Sequence, residues 1–562
     1  MTNDIILEVN GLHITFNGVQ PFTAVNNLSF TVKKGKTLAV VGESGSGKSL
    51  TSLALMGLQP KTAELSGTML LHAGSDKTID LSISGILNSK GTPRGQFISM
   101  VFQEPMSALN PVMKVGKQLQ EAITIHQHIS KAEAKQLTIK WLEKVQLPDP
   151  EKIYDRYPHQ LSGGQKQRIM IAIAMCNHPQ LLIADEPTTA LDVTVQQEIM
   201  HLMHYLQQEH QSAMIFITHD LALAATIADE VLVMYKGEAM EYGTAQQVLN
   251  KPAHPYTKAL LACRPKPESK GYVLPIVADF LDGKTLEEKI PVLSESAILP
   301  STIATGLLNV KDLNIWFPEP NNFLSKSNSY FKAVDNVSFY INKGETLGLV
   351  GESGCGKSTL SKALIGLLPV KSGNILFDNK DLAISSLQEW RSVRTKVQMI
   401  FQDPYSSLDP RMTIGDTIKE PLAIHNIVSK NELDKEVIRL LNVVQLPATA
   451  VNKYPHEFSG GQRQRIGIAR ALSVRPELLI CDESVSALDV SIQAQILNLL
   501  KELQNEFALT YLFISHDLGV VHYISDRVMV MQKGKIVETG DALQVLNNPA
   551  NDYTKKLIAA MP

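Results

Sequence analysis

Two octapeptides, Gly42-Glu43-Ser44-Gly45-Ser46-Gly47-Lys48-Ser49 and Gly351-Glu352-Ser353-Gly354-Cys355-Gly356-Lys357-Ser358, space their glycines, lysine and hydroxyl in the pattern that cradles a phosphate chain. Glycines let successive backbone N–H groups turn onto phosphates with no side chain in the way, at a helix N-terminus whose dipole favours anions. In that arrangement Lys48 and Lys357 reach the β- and γ-phosphates, Ser49 and Ser358 ligate Mg²⁺, and the contacting run extends to Leu50 and Thr359.

Asp185 and Asp482 each end an apolar run, which places a carboxylate at the tip of a buried strand, facing the phosphates, where it can hold a metal's water shell. Glu186 and Glu483 come next and are expected on the opposite side of the pleat, placed to polarise an attacking water. His219 and His516 follow the next apolar run and are expected to contact the γ-phosphate and orient that base. A lone Asp-Glu is usually a solvated strand end; here it recurs in register with a phosphate loop, which reverses that reading.

The elements that carry these groups must be one domain written twice. The serines of two Ser-Gly-Gly-Gln segments (459 minus 162), the aspartates (482 minus 185) and the histidines (516 minus 219) are each 297 positions apart, whereas the lysines (357 minus 48) are 309 apart. The first copy therefore holds extra residues, and the broken apolar period over 71–95 predicts a surface excursion there. Two domains of about 250 residues result, at 1–250 and 307–548, with a proline-rich extension and linker at 251–306 and a short extension at 549–562.

Residues 5–16 and 28–32 alternate like strands, and 36–42, 180–185 and 213–218 read as fully buried strands. Helices are expected from about residue 48, across 111–147 and over 165–176. Apolar strands alternating with helices predict an α/β fold on a mostly parallel sheet, with phosphates at the strand ends. A base-stacking aromatic is expected on an early strand, and Phe16 and Phe317 occupy equivalent places; Trp316, one residue off, faces the other side as core or interface.

Composition narrows the function classes. Lys plus Arg is 53 and Asp plus Glu is 56, a formal charge of −3 with no basic field for DNA or RNA. The N-terminus has acids where a secretory signal needs positive charge, and no apolar run approaches the roughly 18 residues needed to span a bilayer, so a membrane role is expected through partners. Cys176, Cys263, Cys355 and Cys481 are scattered without CxxC, and free thiols in a reducing compartment are expected, with no iron–sulfur cluster.

Leu161-Ser-Gly-Gly-Gln165 and Phe458-Ser-Gly-Gly-Gln462 resemble the signature of the ATP-binding cassette (ABC) ATPases; Gln103 and Gln402 match that family's Gln loop, and Asp192 and Asp489 its D-loop. The segments Phe102-Gln-Glu-Pro, Phe401-Gln-Asp-Pro and His254-Pro-Tyr-Thr257 are similar to those of the oligopeptide/dipeptide/nickel importer ATPases. Departures are Cys481-Asp-Glu-Ser484 in place of Asp-Glu-Pro and Phe458 in place of Leu; neither removes a phosphate-touching group, so an active second site is expected.

The resemblance implies two tandem P-loop ATPase domains, each with a helical subdomain and an antiparallel β subdomain, binding ATP and Mg²⁺. It implies a head-to-tail pairing in which Ser459, Gly461 and Gln462 cap ATP on the first loop and Ser162, Gly164 and Gln165 cap ATP on the second. It places Gln103 and Gln402 beside the metal together with Ser49, Asp185, Ser358 and Asp482. It further implies two permease subunits, a solute-binding protein, the cytoplasmic face of an inner membrane, and a small peptide as cargo, glutathione first, other di- or oligopeptides second and nickel third. A twin-cassette ATPase acting on ribosomes or nucleic acid is the rival; it calls for a charged helical linker or zinc modules, which 251–306 and the cysteine spacing lack. A non-hydrolytic role would require a lost Glu or His, and neither half has lost one.

Overall fold

The structure, a computed structural model, describes residues 4–18, 21–73, 77–83, 93–104, 108–189, 191–282, 306–318, 330–382, 387–486 and 488–560. The chain divides into two compact units, the first dominated by Met1–Ala262 and the second by the chain from 306 onward together with Cys263–Ile276.

In the first unit the strands are β1 (Ile5–Phe16), β2 (Phe22–Lys33), β3 (Thr37–Val41), β4 (Ala63–His72), β5 (Thr78–Asp80), β6 (Ile98–Val101), β7 (Leu181–Asp185), β8 (Ala213–Thr218), β9 (Glu230–Tyr235) and β10 (Glu238–Thr244). They form an antiparallel sheet in the order β2-β1-β4-β5 and a second sheet in the order β10-β9-β3-β8-β7-β6. The second sheet is parallel except for its β9–β10 edge. Its central strands are apolar throughout because both faces are covered. Leu182, Ala184, Met214 and Phe216 join one buried cluster with the helices, while Leu181, Ile183, Ile215 and Ile217 alternate into another with the antiparallel sheet.

The second unit repeats this with β11 (Leu308–Pro318), β12 (Tyr330–Ile341), β13 (Thr346–Val350), β14 (Ser372–Phe377), β15 (Lys380–Asp381), β16 (Val397–Ile400), β17 (Leu478–Asp482), β18 (Thr510–Ile514), β19 (Arg527–Gln532) and β20 (Lys535–Asp541). Its sheets run β12-β11-β14-β15 and β16-β17-β18-β13-β19-β20, the same orders as in the first unit.

The helices expected over 111–147 appear as Val115–His126 and Lys131–Lys144, with Val115, Leu119 and Ile123 fully buried. Ser130 starts the second of them by a capping box: its side chain accepts from the Glu133 N–H while Glu133 accepts from the Ser130 N–H. The surface excursion predicted over 71–95 is corrected in its described parts. Leu71, Ala73, Ile79 and Leu81 are buried in the core around the paired strands β4 and β5. Residues 74–76 and 84–92 of the same stretch lie outside the described residues, as do 283–305 of the expected linker.

The described part of the proline-rich stretch divides between the units. Helix Pro255–Cys263 packs in the first unit through Ala262, whereas Cys263–Ile276 belongs to the second. There Asn498 exchanges hydrogen bonds with both backbone groups of Leu274 (2.8 and 2.9 Å), Tyr523 donates to the Tyr272 carbonyl (3.0 Å) and Lys270 donates to the Ser525 carbonyl (2.8 Å).

Candidate active sites

Parallel pairing brings the chemical groups to one edge. In the first unit Val41 pairs with Thr218, Asp185 with Ile217, and Val101 with Ala184, so the chain leaves β3, β8, β7 and β6 side by side. The loop after β3 carries Lys48, that after β8 carries His219, β7 ends in Asp185 and Glu186, and Gln103 follows β6. In the second unit Leu349 and Asp482 both pair with Ile514, and Ile400 pairs with Cys481, giving the same edge.

The glycine loops are tight enough to need their glycines. Gly42 has φ 152°, and a Cβ there would lie 2.1 Å from the Met234 carbonyl oxygen; at Gly351 the figures are 154° and 2.2 Å from Met531. Lys48 is buried, its ammonium donating to the carbonyls of Gly42 (2.7 Å) and Glu43 (2.8 Å). Lys357 does the same to Gly351 (2.7 Å) and Glu352 (3.0 Å). Helices Lys48–Leu55 and Lys357–Leu364 begin at these lysines, with Ser49 and Leu50, or Ser358 and Thr359, in the first turn. Ser44, Gly45 and Ser46, and Ser353, Gly354 and Cys355, form the turn between strand and helix, at a helix N-terminus whose dipole favours an anion.

Ser49 donates to Asp185 Oδ1 at 2.9 Å, and Ser358 to Asp482 Oδ1 at 3.3 Å. A hydroxyl and a carboxylate side by side are an oxygen-only donor set that fits a hard cation such as Mg²⁺. Burial pushes the Asp185 carboxyl up to about 6, against the pull of the Ser49 hydrogen bond. Burial raises Asp482 likewise, with the neighbouring Glu483 charge adding to it.

Glu186 is reached from three sides: Gln103 Nε2 donates to Oε2 at 2.9 Å, Thr189 Oγ1 donates to it at 3.0 Å, and His219 Nδ1 lies 3.4 Å away. Burial would raise this carboxyl, yet the His219 hydrogen bond and charge, with Lys48 and Thr189, reverse that and hold it well below the ordinary range. Glu483 has Gln402 at 2.6 Å and His516 at 3.6 Å. Burial opposes charge on His516, but the Glu483 carboxylate outweighs it and raises the imidazole. The expectation that each glutamate continues the pleat is corrected. Glu186 (φ 44°) and Glu483 (φ 47°) have left the strand in the left-handed region, and this turn swings the carboxylate to the Gln loop and histidine. Ser484 replaces proline without disturbing that turn.

The signature serines lie at helix N-termini. Ser162 caps Gly163–Met175 and Ser459 caps Gly460–Leu472, each in a capping box with Gln165 or Gln462 three residues on. A Cβ on Gly164 would lie 2.7 Å from Val195, and one on Gly461 2.3 Å from Ile492, so these glycines also let two helices pack closely. Asp192 and Asp489 are the N-caps of the following helices.

Phe16 pairs with Phe22 at the tip of the β1–β2 hairpin, and nearby on β2 the Ala24 carbonyl abuts Gly47. Phe317 pairs with Phe331 and is 37% exposed, while the Ala333 carbonyl abuts Gly356. Both rings thus stand on the hairpin that touches the phosphate loop. Trp316 is half-buried and tilts against Tyr330 at 6.1 Å.

The four cysteines are free and buried. Burial pushes the Cys176 and Cys481 thiols up to about 12 and raises that of Cys355. Among the described residues no helix is long and apolar enough to cross a membrane.

Sequence reasoning missed one pair of residues at these loops, Tyr256 and Tyr553, whose hydroxyls accept the N–H of Glu43 (3.2 Å) and of Glu352 (3.1 Å). A signal was present: 553 minus 256 is 297, the offset of the other repeated groups.

A family profile described as ABC transporter matches residues 25–189 and again 334–486, and one described as oligopeptide/dipeptide transporter, C-terminal region, matches 240–278 and 537–562. The chain is 48% identical to the Glutathione import ATP-binding protein GsiA of Shigella boydii serotype 4, over 99% of this chain and 89% of that one. It is 47% identical to the GsiA of Escherichia coli strain K12, with the same coverage. Among solved structures, cbiO1 of Clostridium perfringens is 30% identical, covers 43% of this chain and 92% of its own, and superposes with a TM-score of 0.38.

Proposed function

We propose, from the premise that this chain belongs to the ABC transporter family, that it is the ATP-hydrolysing subunit of an importer for small peptides, with glutathione as the first candidate cargo. The observation that carries the reading is the completeness of both sites. Each unit has its lysine in the glycine loop, its Ser–Asp oxygen pair, and a glutamate held by a glutamine and a histidine. A unit kept only for structure would be free to lose one of these, and neither has.

In this reading Lys48 and Lys357 leave their loop carbonyls for the β- and γ-phosphates, and the glycine-loop N–H groups take the remaining phosphate oxygens. Ser49 and Asp185 with Gln103, and Ser358 and Asp482 with Gln402, would hold Mg²⁺, which when bound neutralises phosphate charge. Glu186 and Glu483, kept ionised by their histidines, accept the proton of the attacking water, and His219 and His516 orient them. Ser162 with Gly164 and Gln165, and Ser459 with Gly461 and Gln462, donate to the γ-phosphate from a helix N-terminus. Phe16 and Phe317 stack on the adenine.

Two permease subunits at the cytoplasmic face of an inner membrane, served by a solute-binding protein, are the partners this reading requires. The peptide reading rests on the transporter-type C-terminal region in both units, and glutathione on the names of the relatives. Deleting the gene in a strain without a redundant importer, and measuring uptake of labelled glutathione and of a labelled dipeptide, tests it. Loss of glutathione uptake supports the first candidate, loss of dipeptide uptake alone replaces it, and unchanged uptake of both removes the peptide reading.

A further inference from the structure

In both units a tyrosine from the C-terminal region reaches the phosphate loop. Tyr256 lies in the first turn of Pro255–Cys263 and is fully buried, its ring 4.4 Å from that of Tyr235. Its hydroxyl oxygen accepts the Glu43 N–H at 3.2 Å, across 213 residues of chain. Tyr553, in the first turn of Asp552–Ala559, accepts the Glu352 N–H at 3.1 Å.

The aim of each tyrosine is set by its own anchor. Glu241 on β10 accepts from the N–H groups of Ala253 (2.8 Å) and His254 (3.1 Å), and Glu538 on β20 accepts from those of Ala550 (2.7 Å) and Asn551 (3.2 Å). His254 Nδ1 then accepts the Tyr256 N–H at 3.1 Å, and Asn551 Oδ1 the Tyr553 N–H at 2.8 Å. The same acceptor, turn and hydroxyl recur although His254 has become Asn551. What persists is the geometry that delivers a phenol to the loop.

The receiving residue is held at both ends. The Glu43 N–H is taken by Tyr256 and its carbonyl by Lys48 at 2.8 Å, with the Gly42 carbonyl on the same ammonium at 2.7 Å. Gly42 has no side chain to prop this peptide, so its orientation rests on Lys48 from within the loop and on Tyr256 from outside it. A part-buried N–H that loses its acceptor carries the full desolvation penalty and turns to find another partner. Turning that peptide moves the carbonyls that place the lysine.

We infer that Tyr256 and Tyr553 are positioning residues for the two phosphate loops, and that the transporter-type C-terminal region braces nucleotide binding in its own unit. The inference rests on the nucleotide-binding reading above. The phenol hydroxyl occupies the Glu43 amide and acts through the carbonyls that place the lysine, so it acts on phosphate binding, including that of the β-phosphate shared by ATP and ADP, and not on the hydrolytic step.

The test compares Tyr256→Phe, Tyr553→Phe and the double variant in the full chain, with Tyr242→Phe as a control, since the Tyr242 hydroxyl bonds the Thr31 carbonyl and Glu230 instead. Equilibrium binding of a fluorescent ATP analogue and of ADP, turnover at saturating ATP, and the thermal midpoint without nucleotide are measured together. Each single variant is expected to weaken both ATP and ADP, ATP by about 3- to 10-fold, at one of two sites, the double at both, with saturating turnover within about twofold and the control unchanged. Unaltered nucleotide affinity overturns the inference, whether or not the thermal midpoint falls, because that would be packing alone. Failure of both single variants to fold also overturns it, because a positioning hydroxyl leaves the core intact. A wild-type chain that binds no ATP removes the nucleotide reading itself, a result distinct from either.

Discussion

Gln103 Nε2 donates to Glu186 Oε2 at 2.9 Å, joining residues 83 positions apart, and Gln402 makes the equivalent bond to Glu483 at 2.6 Å. Both glutamines stand just past a strand whose parallel neighbour ends at the Asp-Glu pair. The bond fixes which way the carboxylate turns after the left-handed step at Glu186. Gln103→Ala is therefore expected to lower turnover on the order of tenfold, with a smaller loss of Mg²⁺-dependent ATP affinity from the proposed place of Gln103 beside the metal. Steady-state kinetics beside equilibrium binding checks it; an affinity loss with unchanged turnover would contradict it.

The two sites differ in a donor to the glutamate. Thr189 Oγ1 donates to the Glu186 carboxylate at 3.0 Å, whereas its counterpart Ser486 turns its hydroxyl to the Glu483 backbone carbonyl at 2.9 Å. Thr189→Ala is expected to reduce turnover about three- to tenfold, and Ser486→Ala to stay within about twofold. Equal effects of the two substitutions would show that the hydroxyls act elsewhere.

The glycine loop leaves no room for a methyl group at its first position. Because a Cβ on Gly42 would meet the Met234 carbonyl at 2.1 Å, Gly42→Ala must displace the loop. Nucleotide affinity at that site is expected to fall by at least about tenfold, with the second site, whose own Gly351 is untouched, still binding. Titration with a fluorescent nucleotide that resolves two sites reads the outcome.

Thiol chemistry gives a test with a definite sign. The reactive species is the thiolate, and a thiol held at about 12, as for Cys176 and Cys481, is ionised to about one part in ten thousand at pH 8. Burial raises Cys355 too, and Cys263 is enclosed. A colorimetric thiol titration should find no fast-reacting group in the native chain and four after denaturation. A rapidly labelled native cysteine would contradict the burial.

How far the sequence carried the reading depended on whether a feature is local. Lys48, Asp185 and His219 were legible because Asp185 and His219 stand at the end of an apolar run and Lys48 one glycine loop beyond another, each run marking a buried strand, and parallel pairing does the rest. The strands β4 and β5, which bury Leu71 and Ile79, were not legible because the Gly, Ser, Asp and Lys that lie between them in sequence break the apolar period. The orientation of Glu186 was misread because the strand ends at Asp185 and the next residue turns into a backbone region a glutamate rarely adopts, which no apolar period records. Tyr256 was overlooked because a contact over 213 residues leaves no local trace, although its 297-residue echo at Tyr553 was there to be counted.

The central claim, that each unit hydrolyses ATP with its own glutamate, is tested most directly by steady-state turnover of the Glu186→Gln, Glu483→Gln double variant, with ATP binding measured on the same sample. Amide for carboxylate keeps the shape and removes the base, so ATP binding should persist while turnover falls on the order of 100-fold or more. Turnover equal to that of the wild type in the double variant would contradict the account.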